Sequence, residues 1–194
     1  MAALRRGVVA VALALGAVGC GTQAQPDHAG SAPRYLSAEE YATGVADQEE
    51  LMTDGSVTRA DYELAVNRFV GCLTGGGAEV DNRGWDPVGD RDIVILYRGA
   101  KPGVDMDGYG DECLTAHLSK VSERYTDSTE PVMAGNLVEF TRNCLRTKGV
   151  TPTGEEKSAD AFRKTAGNKS GVVNDCVIDG MKHLYPGTPV SLGS

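Results

Sequence analysis

The sequence predicts a mainly helical fold with a small β-hairpin, built from two helix–connector–helix pseudo-repeats that are each closed by a disulfide. Three observations favour this α+β architecture. Helix-capping patterns recur along the 194 residues, an apolar hairpin pattern interrupts them once, and a short motif around a cysteine occurs twice.

Residues 1–19 have the three parts of a secretory signal peptide. Arg5 and Arg6 give the positive start, residues 7–18 are apolar, and small residues precede Cys20. The apolar stretch is too short for a membrane span, which needs about 20 residues. The run Ala-Val-Gly-Cys that ends at Cys20 resembles a bacterial lipobox, in which the cysteine receives a diacylglyceryl group and cleavage follows just before it. The alternative is an ordinary signal peptide cut elsewhere, with Cys20 discarded or left as a free thiol.

The charge of the chain excludes some classes of partner. Without residues 1–19, the 19 basic residues fall to 17 against 27 acidic ones, a net charge of −10. That sign is wrong for nucleic acid and for an anionic membrane surface, so we expect no nucleic-acid partner. Attachment to a membrane would depend on the acyl chains at Cys20.

Residues 20–36 are predicted to form a flexible tether, because their polar composition has no apolar periodicity. The first predicted helix begins after Ser37, which forms a capping box with Glu40, and ends near Thr53.

A second helix begins after Thr58, with Asp61 in the weaker version of the same box, and ends at Gly75–Gly77. One face of it is apolar at helical spacing. That face comprises Tyr62, Val66, Phe69, Val70 and Leu73.

The connector of the first repeat is predicted to hold a hairpin, with strands over residues 78–80 and 92–97. The polar loop between them, residues 82–90, carries Trp85. This loop is the most unusual surface of the chain, so Trp85 is a candidate ligand contact; packing of its ring over the hairpin is the alternative. Residues 101–110 are expected to be a loop.

Four further helices complete the prediction. They cover residues 110–125, 131–148, 155–166 with Phe162 as the buried anchor, and 172–184. Residues 37–127 then form the first repeat, residues 128–188 the second, and residues 189–194 a tail.

The repeat itself predicts how the cysteines pair. In both copies Cys-Leu lies in the last helical turns, at Cys72 and Cys144, with a glycine five residues beyond the cysteine. Each copy continues to a helix with an acidic residue just before a second cysteine, Cys113 or Cys176. An even number of cysteines in an exported domain indicates disulfides, and three pairings are possible. One cysteine on each helix favours Cys72–Cys113 and Cys144–Cys176.

Three features together resemble a set of functionally uncharacterised small secreted lipoproteins of high-GC Gram-positive bacteria. They are the lipobox, the Cys-Leu-x3-Gly helix end, and the stretch from Tyr109 to Val121. The resemblance covers residues 62–125 well and the second repeat loosely. The resemblance implies a location in the cell envelope and a fold, but it implies no catalysed reaction.

We expect no cofactor, and the strongest alternative is a calcium site. Asp105, Asp107 and Asp111 lie in a glycine-containing acidic stretch that resembles the calcium-binding repeats of thrombospondin type 3 segments, and calcium prefers oxygen ligands of this kind. An acidic loop that caps the following helix explains the same residues without an ion. Zinc at Cys113 with His117, or at Cys176 with His183, is less favoured, because the cysteines are expected to pair with each other.

No enzyme signature is present among the common catalytic motifs. We therefore expect a lipid-anchored protein on the extracytoplasmic face of the cell membrane, with a non-catalytic binding or structural role. Its expected partner is another envelope protein or a wall component. The alternative is an extracytoplasmic hydrolase that uses His117 with nearby carboxylates.

Overall fold

The structure, a computed structural model, describes residues 35–99 and 101–190. The predicted signal peptide, Cys20, most of the tether and the last four residues of the tail lie outside the described residues. Within this part of the chain no helix is long and apolar enough to cross a membrane.

Helices and one two-stranded antiparallel sheet make up the described elements, which confirms the predicted fold class. The first repeat contains α1 (Ala38–Leu51), α2 (Arg59–Gly75), β1 (Glu79–Trp85), β2 (Ile93–Arg98), α3 (Met106–His117) and α4 (Ser119–Ser128). The second contains α5 (Gly135–Thr147), α6 (Ala159–Ala166), a 3-10 turn (Gly167–Lys169) and α7 (Ser170–Leu184).

The first two helices begin at the predicted capping boxes. Ser37 Oγ accepts a hydrogen bond from the Glu40 N–H at 3.1 Å, and the Glu40 carboxylate accepts one from the Ser37 N–H at 2.9 Å. Thr58 and Asp61 make the same reciprocal pair at the start of α2. Each box satisfies backbone N–H groups that the helix itself leaves without a partner.

The helices that carry the first cysteine of each repeat end in the same way. Gly77 and Gly149 have φ of +88° and +73°, a region that favours glycine. The N–H of the residue after each glycine donates to a leucine carbonyl five positions back, at 3.1 Å for Leu73 and 3.0 Å for Leu145. Both helix ends are therefore Schellman motifs, so the Cys-Leu helix end that occurs twice in the sequence has the same structure in both copies.

Both predicted disulfides are present. Cys72 bonds Cys113 and Cys144 bonds Cys176, each with a Cα–Cα distance of 5.7 Å. Cys113 and Cys176 are completely buried, so each bridge ties a helix end to the middle of a core helix.

Two hydrophobic clusters form the core. The first lies among α1 to α4 and the hairpin, with its fully buried centre at Ala65, Leu73, Cys113, Ala116 and Val121. The second lies among α5, α6 and α7, with its centre at Leu137, Phe162, Val173, Cys176, Val177 and Met181. Phe162 is the buried anchor that the sequence predicts.

The loop between the strands of the hairpin joins the two clusters. Val88, in the first repeat, is buried in the second cluster. The carbonyls of Pro87 and Gly89 accept hydrogen bonds of 2.8 and 2.9 Å from the N–H groups of Ala134 and Val132. These bonds hold residues 131–134 in an extended conformation, so the prediction that Pro131 opens α5 was wrong.

The predicted helix over residues 110–125 is two helices. It begins four residues earlier, at Met106, and breaks at Leu118, where φ is −136°. Likewise α6 begins at Ala159 rather than near Glu155, because Glu156 is buried and its carboxylate organises the preceding turn.

Candidate functional site

Trp85 lies at the end of β1 and not in a polar loop, so the predicted loop begins too early. The strand extends because a bulge between Asn82 and Trp85 absorbs one extra residue, with Gly84 at φ +80°. Asn82 supports the bulge by accepting a hydrogen bond of 2.8 Å from the Gly84 N–H.

The indole of Trp85 packs in an aromatic cluster. Its ring centre is 5.4 Å from that of Tyr62 and 5.9 Å from that of Tyr125, and the Arg59 guanidinium lies over one face at 3.6 Å. Burial raises the pKa of Tyr62 to about 12, and its oxygen accepts a hydrogen bond from the Ile93 N–H. These contacts correspond to the packing alternative for Trp85, and the Arg59 guanidinium covers one face of the indole.

The three candidate calcium ligands are not gathered around one point. Asp105 is the residue before the first turn of α3 and accepts a hydrogen bond of 2.9 Å from the Tyr35 hydroxyl. Asp107 and Asp111 are exposed residues of α3 itself. Among the described residues, no group of three or more His, Cys, Asp or Glu side chains is placed to hold a metal ion.

The open cavity that contains His117 has a volume of about 640 Å³ and lies between the start of α1, the end of α2 and α3. Its lining includes Glu39, Glu40, Tyr109, His117 and the Cys72 end of the first disulfide. Two carboxylates and an imidazole near one cavity are the groups that the hydrolase alternative needs.

Among the described residues, no hydrogen bond joins His117 Nδ1 to a carboxylate of this cavity. Nδ1 of His117 is buried and has no hydrogen-bond partner, so no carboxylate orients the ring from that side. Glu40 is occupied by the Ser37 cap, and the Tyr109 hydroxyl donates to the Cys72 carbonyl at 3.2 Å.

Burial lowers the pKa of His117, an effect opposed by the negative charge of Asp47 and assisted by the positive charge of Arg68. The lowered pKa favours the neutral form of the ring. The ring lies against Gly44 of α1, where a Cβ would come within 2.6 Å of Cε1.

Two buried polar residues have no counterpart in the sequence prediction. Gln48 is completely buried and hydrogen-bonds the backbone where α3 ends and α4 begins. Glu156 is 3% exposed and accepts hydrogen bonds from Thr153, Gly154 and Thr165. No sequence signal separates either residue from the exposed Gln and Glu of the same chain.

Comparisons with protein-family models, with curated proteins and with solved structures give no match for this chain.

Proposed function

We propose that the chain is exported, lipid-modified at Cys20 and held at the extracytoplasmic face of a membrane. The observation that carries this proposal is the lipobox at the end of a signal-like segment. The two disulfides support it, because such bonds persist in oxidising compartments.

The folded part then serves as a binding or structural module of the envelope. Supporting this role, the aromatic and acidic groups that stood out in the sequence take part in contacts within the fold. Trp85 packs in the aromatic cluster, Asp105 accepts a hydrogen bond from the Tyr35 hydroxyl without capping α3, and Glu40 completes the Ser37 cap. The acidic surface favours a basic or neutral partner over an anionic one, since like charges repel.

The proposed membrane attachment is tested by replacing Cys20, whose thiol would accept the lipid. Full-length chain and the Cys20→Ser variant are expressed in a bacterial host with a lipoprotein pathway, then separated by detergent phase partitioning. We expect the wild type in the detergent phase with a diacylglyceryl mass on an N-terminal peptide that begins at Cys20, and Cys20→Ser without that mass and with residues 1–19 still attached, since cleavage follows lipidation. Thr22→Ser, a conservative change two residues away, is the control and keeps the wild-type behaviour. A wild-type N-terminal peptide that lacks the diacylglyceryl mass would contradict the proposed anchor.

The role is tested separately on purified full-length chain. Isolated cell walls are expected to retain the folded protein and to release it after reduction and unfolding, with no change in the wall-derived material by mass spectrometry. Turnover of that material, abolished in His117→Ala and kept in His183→Ala, would instead identify the hydrolase.

A further inference from the structure

We propose that the contact between α1 and the end of α3 is a pH-sensitive latch, which holds α1 in place at neutral pH and loosens in mild acid. This goes beyond the proposed function, and it concerns only described residues.

The contact is too close to admit a side chain or water at its centre. A Cβ built on Gly44 would lie 2.6 Å from Cε1 of His117, 2.8 Å from Nδ1 and 2.9 Å from the Ala116 carbonyl oxygen. The backbone of α1 therefore rests directly on the imidazole. Nδ1 is buried beneath it and has no hydrogen-bond partner.

Protonation of His117 changes what this contact must accommodate. A neutral imidazole needs only one N–H, and the Nε2 tautomer leaves a bare lone pair at Nδ1. The imidazolium carries N–H on both nitrogens, so a charged donor would be buried at Nδ1 with no acceptor. The folded state resists this, consistent with the lowered pKa of His117, while a state in which α1 has moved away exposes the ring to water.

The neighbouring charges do not supply the missing acceptor. From α1, Asp47 attracts the imidazolium, but its carboxylate is paired with Arg68 of α2 at 3.5 Å. Glu39 and Glu40 lie at the cavity rim, and Glu40 caps α1. Tyr109, which lines the same cavity, donates to the Cys72 carbonyl, and Lys120 of α4 is paired with Glu49 at 3.1 Å.

Loosening of α1 would also affect two other parts of the first repeat, namely the break between α3 and α4 and the cavity that His117 lines. Gln48 lies one turn beyond Gly44 on the same face of α1 and holds the break between α3 and α4. The first turn of α1 also forms one wall of the 640 Å³ cavity. Acid would therefore widen access to that cavity and to the Cys72 end of the disulfide.

Hydrogen exchange measured by mass spectrometry at pH 7.0 and 5.5 tests the latch, on the full chain in mild detergent. The exchange times are corrected for the intrinsic effect of pH. We take His117 to have the ordinary pKa of 6.5 when α1 is open and to stay neutral when α1 is closed. Its protonation then raises the equilibrium constant for opening of α1 by up to about eightfold between pH 7.0 and pH 5.5. We expect faster exchange in peptides from α1 and no change in peptides from α5.

Two variants identify the responsible group. His117→Gln cannot be protonated and is expected to abolish the pH dependence of α1 exchange. His183→Gln, in α7 where the histidine stacks on Phe140, is the matched control and is expected to keep it. Unchanged α1 protection in the wild type between the two pH values, or the same pH dependence in His117→Gln, overturns the proposal.

An NMR titration of the wild type covers the case in which His117→Gln fails to fold. The His117 Cε1–H resonance should titrate with a midpoint below 6.5. A midpoint at or above 6.5 also overturns the latch, because the closed contact would then not resist protonation.

Discussion

The side-chain amide nitrogen of Gln48 donates a hydrogen bond of 2.7 Å to the carbonyl oxygen of Ala116, although 68 residues separate the two in the chain. The same nitrogen reaches the Thr115 carbonyl at 2.9 Å, and the Gln48 oxygen accepts from the Lys120 N–H at 2.9 Å. One buried amide thus satisfies the backbone groups that the break at Leu118 leaves open.

Replacement of Gln48 by Ala should be among the most damaging single changes in α1. The variant leaves two carbonyls with fewer partners, one N–H with none, and a cavity, so we expect a loss of about 2–4 kcal/mol in the free energy of unfolding. Urea unfolding followed by circular dichroism measures it. Glu50→Ala, on the exposed side of the same helix, is the control and should stay within about 0.5 kcal/mol of wild type. A Gln48→Ala loss as small as the control's would show that the break at Leu118 does not depend on this amide.

The disulfides should contribute comparably because they close loops of similar length. The separations are 41 residues for Cys72–Cys113 and 32 for Cys144–Cys176. Loop-closure entropy gives about 3.5–4 kcal/mol for each bridge, an upper range for measured values. We expect the Cys72→Ala/Cys113→Ala and Cys144→Ala/Cys176→Ala variants each to be digested faster by thermolysin than wild type. Equal protease lifetimes for wild type and either variant would count against the contribution of that bridge.

Gly71 lies inside α2 and Gly77 lies just after it, and the two should respond in opposite ways to replacement by alanine. Gly77 has φ of +88°, so Gly77→Ala should destabilise the protein by about 1–2 kcal/mol. Gly71, inside α2, would have nothing within 4 Å of a new Cβ, and Gly71→Ala should stabilise by about 0.5–1 kcal/mol. Thermal unfolding of the two variants should therefore shift in opposite directions, and shifts of the same sign would refute the explanation.

Glu156 makes stability depend on pH in the acid range. Burial raises its pKa, but the hydrogen bonds from Thr153, Gly154 and Thr165 outweigh burial and bring the pKa to about 2, below the ordinary 4.5. The stabilisation is therefore complete above about pH 4.5 and is lost as the pH falls towards 2.

The Glu156→Gln variant should accordingly lose about 1.5–3 kcal/mol at pH 6, and the difference from wild type should shrink at pH 3. Urea unfolding at the two pH values measures it. Glu155→Gln, exposed and adjacent, is the matched control and should match wild type at both. A Glu156→Gln deficit that is equal at pH 6 and pH 3 would mean that the carboxylate charge is not the stabilising feature.

Local chemistry explains which parts of the fold the sequence could predict. The Ser37 and Thr58 boxes, the glycines after Cys72 and Cys144, and the pairing of the cysteines depend on residues at fixed short spacing or on a repeated motif. Such patterns persist whatever the rest of the chain does.

The wrong predictions depend on distant partners. The break at Leu118 depends on Gln48, and the extended residues 131–134 depend on carbonyls of the hairpin loop more than 40 residues earlier. The sequence pattern predicts a loop at Trp85 because the bulge at Gly84 interrupts the strand alternation of β1. In each case tertiary hydrogen bonds or packing override a local preference, so a periodicity argument cannot reach them.

The order of the two disulfides has a consequence for how the chain matures. Their loops are consecutive and neither encloses nor crosses the other. Among these four cysteines, a chain that emerges amino end first presents Cys72 and Cys113 before Cys144 appears, so pairing of the four in order of appearance yields the native bonds, provided that Cys20 carries its proposed lipid and takes no part. We therefore expect oxidative maturation to proceed without a disulfide isomerase, whereas a nested or crossed arrangement would require reshuffling.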